Sequence, residues 1–97
     1  MELLIATTEV KPEAVEEFAR IWQEELSAKL PGEPGFLKAF LGASPEQPSR
    51  LVAVAMWDPL PRQDRLHELT AVLLDRTVGM AERPPSFEFL HVVGEVG

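Results

Sequence analysis

Two histidines, His67 and His91, carry the side chains whose ordinary pKa lies near neutrality, so general acid–base chemistry falls to them first. They stand far apart, with no H-x-H or H-x-x-x-H spacing, and make a weak metal site. The chain has no cysteine, which excludes disulfides, thiolate metal sites and a cysteine nucleophile. His91 alternates with Phe89 and Val93 on an apolar strand face, where it reads either as a base or as a satisfied core or interface histidine. His67 adjoins Leu66 and follows Asp64 by three on a helix, and its plainer reading is a solvated boundary residue.

Trp57 is the other candidate. It shares a strand face with Leu51, Ala53 and Ala55, and two alanines beneath an indole leave room for a ligand. The indole would then serve as wall and hydrogen-bond donor. The competing reading has a helix lying close over the alanines, with Trp57 as core. No polar residue shares that face, so any base must come from elsewhere. Trp22, Phe18 and Phe40 are expected to shape the walls. Thr7 and Thr8 point to opposite faces of a strand, and one of them faces the helices and the ligand, although threonine suits strands in any case. Arg62 and Arg65 flank the start of a helix, where they could hold an anion or simply be solvated charge.

The elements that position these residues follow from periodicity. Residues 2–10 read as strand one, stopped at Lys11-Pro12. Helix one runs from Pro12 to Leu30 with an apolar stripe of Val15, Phe18, Trp22, Leu26 and Leu30. Pro31-Gly32-Glu33-Pro34-Gly35 ends it, and Phe36 to Ala43 forms strand two. Strand three, residues 50–57, contains Leu51-Val-Ala-Val-Ala-Met-Trp57, an unbroken apolar run that predicts cover on both faces. Helix two spans Pro61 to Val78, with Leu66, Leu69, Leu73 and Met80 as its stripe, joined by Val72 and Thr77. Phe87 to Val96 is strand four.

The order β-α-β-β-α-β predicts one α+β ferredoxin-like domain over residues 1–97. Right-handed crossovers put strands one and three in the centre of the antiparallel sheet. Those are the two most apolar strands, while Lys38, Glu88 and His91 fall on the strands assigned to the edges. Both helices cover one face. The other would expose several apolar side chains, each worth roughly 1.5–3 kcal/mol when buried, so a two-fold homodimer through the sheet is expected.

Composition narrows the partners. Net charge is −7 and the basic residues are scattered, which argues against nucleic acid. No segment approaches the roughly 20 apolar residues of a membrane span, and no secretory signal is evident, so a cytoplasmic protein is expected.

Val10-Lys11-Pro12-Glu13 with Phe18 and Trp22, then Pro34-Gly35-Phe36, then Val54-Ala55-Met56-Trp57-Asp58, resemble the antibiotic biosynthesis monooxygenase superfamily in order and spacing over roughly residues 3–75. Two features depart from its pattern. Glu13 stands where many members have glycine, and helix two lacks an aromatic-rich pattern. The resemblance implies a dimeric α+β barrel that binds its substrate between sheet and helices. It further implies a small cofactor-free oxygenase, a haem-degrading relative or a relative without activity. Haem degradation is disfavoured, because helix two has no tryptophan and strand one offers only Thr7 or Thr8 where those relatives place asparagine. Two functions remain: a cofactor-independent monooxygenase of an aromatic or quinol-like molecule, with His91 or His67 as base, or a non-catalytic dimeric module that binds a small apolar ligand or has only a structural role.

Overall fold

The computed structural model describes residues 1–97. Four strands and two helices follow in the order β1 (Glu2–Glu9), α1 (Val15–Lys29), β2 (Phe36–Ala43), β3 (Arg50–Trp57), α2 (Gln63–Thr77) and β4 (Ser86–His91). The sheet order is β2-β3-β1-β4, all neighbours antiparallel, with the two most apolar strands central as expected. The fold is therefore the ferredoxin-like α+β arrangement.

Residue types explain the boundaries. Pro12, which lacks an N–H and has φ preset for helix, opens a short 3-10 turn that leads into α1. Past Leu30 the chain reverses through two glycines in the left-handed region, Gly32 at φ 87° and Gly35 at φ 85°. At Gly35 a side chain would also strike backbone, since a Cβ there would lie 2.4 Å from the Pro59 carbonyl oxygen.

Several expected boundaries shift, the first helix among them, which runs as α-helix from Val15 to Lys29 instead of Pro12 to Leu30. The second helix starts at Gln63, not Pro61, because Leu60 precedes a proline and Arg62 stays extended. The first strand ends at Glu9, and Val10 forms an isolated bridge to Ala81. The fourth strand ends at His91 instead of Val96. His91 pairs with Glu2, the first residue of β1, so beyond it no neighbouring strand remains, and Val93 is 95% exposed. Val72, expected in the buried stripe, is 44% exposed because it lies on the flank of the Leu66, Leu69, Leu73, Thr77 face.

Register assigns every strand residue to a face. Toward the helices point Ala39 and Leu41 of β2, Leu51, Ala53, Ala55 and Trp57 of β3, and Leu4, Ala6 and Thr8 of β1, with Phe87, Phe89 and His91 on β4. The outer face carries Phe40, Val52, Val54, Met56, Leu3, Ile5 and Leu90, and no helix covers it. The core forms two clusters. One joins Val10, Phe18, Ile21, Trp22, Leu51 and Leu73. The other joins Leu30, Trp57, Leu66 and Leu69. Outside the layers, Arg76 bridges from α2 to Glu24 and Glu25 of α1 at 3.4 and 3.1 Å, holding the helices side by side.

Candidate functional site

Along α2, Leu66, Leu69, Leu73 and Thr77 point at the sheet. Opposite them, the middle of the central strands presents methyl groups, from Ala6, Ala53 and Ala55. Four-carbon side chains on the helix over one-carbon side chains on the sheet leave the layers unfilled. The result is a cavity of about 570 Å³, within the range of small-molecule sites. Phe18 and Trp22 of α1 wall it, and Leu30 and Trp57 stand at its inner end. Its mouth opens between Leu74 of α2 with Val78, just past the helix end, on one side and Phe87 with the Ala81–Pro85 segment on the other. The α2 side of this rim is apolar, with Val78 74% exposed.

Polarity inside is sparse. Thr70 and Thr77 turn their hydroxyls back onto the carbonyls of Leu66 and Leu73 at 2.9 and 2.8 Å, so their donors are already used. The exception is Trp57. It is 1% exposed, packed edge-on against Phe36 at 5.2 Å, and its Nε1–H has no acceptor. A buried donor without a partner costs about 1–3 kcal/mol. The only ionisable residues in the lining are Glu82 and Arg83 at the mouth, and Arg83 is engaged through Nε with Glu9 Oε2 at 2.7 Å.

Of the residues singled out from sequence, Trp57, Trp22, Phe18 and Thr8 meet around this cavity. Trp57 belongs to the core cluster and to the cavity wall at once. Thr7 pairs with Val52 on the outer face. Phe40, expected as a wall, also lies on the outer face, 49% exposed, with the Lys38 ammonium 5.2 Å from its ring centre. The cause is a β-bulge between Phe36 and Lys38, which reverses the alternation of β2. Phe36 turns in against Trp57, and Phe40 turns out with Val54.

The histidines are not brought to the cavity. His67 is exposed on α2, and His91 is exposed at the end of β4, opposite Glu2. Neither lies in the lining. Arg62 contacts Asp64 at 3.5 Å. Arg65 grips Glu33 through Nε and Nη2 at 2.6 and 2.8 Å, tying α2 to the turn before β2. Hydrogen bonds from Arg65 hold the Glu33 carboxyl below its ordinary value. No group of three or more His, Cys, Asp or Glu side chains is placed to hold a metal ion, and no helix is long and apolar enough to cross a membrane.

Sequence reasoning missed the mouth. Glu82, Arg83 and Phe87 form it with α2, yet Arg83-Pro84-Pro85-Ser86 reads simply as a linker. One signal was available: a stiff, proline-rich segment joining a helix to an edge strand must cross the open end of the helix layer.

The family model for antibiotic biosynthesis monooxygenase matches residues 1–67. Among curated proteins, none matches in sequence. Solved structures resemble the chain closely in fold. A Nitrosomonas europaea protein assigned as an antibiotic biosynthesis monooxygenase is 18% identical, with a TM-score of 0.81 over 97% of this chain and 100% of that one. A mutant of SnoaB, a cofactor-independent oxygenase from Streptomyces nogalater, is 15% identical, with a TM-score of 0.75 over 98% and 95%. Rv0793 from Mycobacterium tuberculosis is 16% identical, with a TM-score of 0.75 over 99% and 98%.

Proposed function

Because the chain belongs to the antibiotic biosynthesis monooxygenase family, we propose that it binds a small apolar, aromatic molecule between sheet and helices and oxygenates it without a cofactor. The observation that carries this reading is the cavity, whose lining is mainly apolar, with Thr8, Thr70, Thr77, the unpaired indole of Trp57 and the rim residues Glu82 and Arg83 as its polar groups. An apolar ring system fills such a space by burial alone, at about 25 cal/mol per Å². One oxygen on that ring, lodged at the inner end, would satisfy Trp57 Nε1–H. Its bond to that donor strengthens as the oxygen gains negative charge, which is the condition for stabilising an ionised quinol.

Removing the substrate proton is a separate task. His67 and His91 are the two histidines of the chain, but both stand outside the lining. The reading therefore favours a substrate that enters as the neutral quinol and is acidic enough to lose its proton to solvent through the open mouth. Oxygen uptake with hydroquinones of graded acidity tests this. Turnover that rises with substrate ionisation supports it. Tight binding without uptake across the series supports the second reading, a ligand-binding module, which the absence of a histidine from the lining favours.

We also infer that two chains pair through their outer sheet faces. Leu3, Ile5, Val54, Met56 and Phe40 form one continuous patch there, and it would otherwise face water. The solution mass tests this pairing.

A further inference from the structure

The middle of the cavity floor is made by two residues that face each other across the central strands. Ala53 of β3 pairs with Ala6 of β1, and both line the cavity. Their place along the strands matters. On β3 the inward positions run Leu51, Ala53, Ala55, Trp57, at about 6.6 Å per step. Trp57 closes the inner end, while Phe87, which pairs with Ala6 on its other side, stands at the mouth. Any molecule that reaches from the mouth to the indole N–H must therefore pass over the Ala6–Ala53 pair. Trp57, 1% exposed and part of the same lining, stands at the end of this path and holds a donor that no protein atom satisfies.

We propose that Ala53, together with Ala6, is the specificity determinant of the cavity, admitting an elongated, uncharged ring system that extends from the mouth to Trp57. This rests on the reading of the cavity as a ligand site. The two methyl groups leave the channel clear, and a larger side chain at either position divides it into two short compartments. The ligand is uncharged because the interior offers no counter-ion. Glu82 and Arg83 stand only at the rim, and Glu9 already neutralises Arg83.

Two neutral probes of different length separate the outcomes: N-phenyl-1-naphthylamine, with three rings, read by fluorescence, and the shorter 1-naphthol, read by calorimetry. The wild type should bind both. Ala53→Phe and Ala6→Leu should each weaken the three-ring probe at least tenfold and leave 1-naphthol within threefold. Both variants should melt no lower than the wild type, because the added carbons enter empty space. Equal retention of both probes by both variants would overturn the proposal. So would a clear fall in melting temperature, which would mean that the methyl groups are packed. A wild type that binds neither probe would overturn the ligand-site reading itself.

Discussion

Replacing Trp57 with phenylalanine separates stability from binding in a way few core substitutions do. The change deletes two carbons and the indole N–H from a side chain that is 1% exposed. Two buried carbons at about 0.8 kcal/mol each cost about 1.6 kcal/mol, and incomplete collapse adds to that. The N–H, however, has no acceptor in the protein. Removing it relieves about 1–3 kcal/mol of unmet desolvation. The terms nearly cancel, so Trp57→Phe should melt within about 8 °C of the wild type, taking about 4–8 °C per kcal/mol for a domain of this size. Trp57→Ala, losing about 3–5 kcal/mol, should fall by about 12 °C or more. Binding should respond differently. Loss of one hydrogen bond worth about 0.5–1.5 kcal/mol weakens 1-naphthol by about 2- to 12-fold. Naphthalene, which has no oxygen, should be unaffected. Thermal melts and calorimetric titration of both ligands provide the assay. If Trp57→Phe melts as low as Trp57→Ala, or if both ligands lose affinity equally, then the unpaired donor has neither the cost nor the role assigned to it.

Three further outcomes follow from the geometry. Val54→Lys places a charge in the centre of the apolar outer face, so light scattering should show a dimeric wild type and a monomeric variant. Gly35→Ala forces a left-handed residue, at about 1–2 kcal/mol, and sets a Cβ 2.4 Å from the Pro59 carbonyl. It should lower the melting temperature by at least about 5 °C. Glu33 has its folded pKa depressed by Arg65, so the stability it contributes is present above its ordinary value of 4.5 and fades as pH falls through the lowered one. The difference in melting temperature between wild type and Glu33→Gln should therefore be constant near neutrality, shrink in acid, and diminish with added salt.

The sheet order was legible because the run Leu51–Trp57 and the segment Leu3–Ala6 lack polar alternation, which marks strands covered on both faces. Ala53 and Ala55 beneath Trp57 likewise pointed to space over β3. Phe40 went astray for a local reason. One extra residue at the bulge inverts the faces of β2 beyond it, and simple alternation from Phe36 cannot register that. The end of β4 was misjudged because strand length depends on where the neighbouring strand stops, and Phe87 to Val96 looks uniformly strand-like when read alone. The cavity mouth is a tertiary feature of the same kind. It exists because the Ala81–Pro85 segment passes beside Leu74 and Val78, residues far from it in pattern though not in space.

A crystal structure of the protein with 1-naphthol tests the central claim most directly. The account predicts the ring seated over Ala55, on the Trp57 side of the Ala6–Ala53 pair, with its oxygen within hydrogen-bonding distance of Trp57 Nε1. A ligand bound only on the outer sheet face, or a cavity closed by the α2 leucines with no ligand inside, would contradict it.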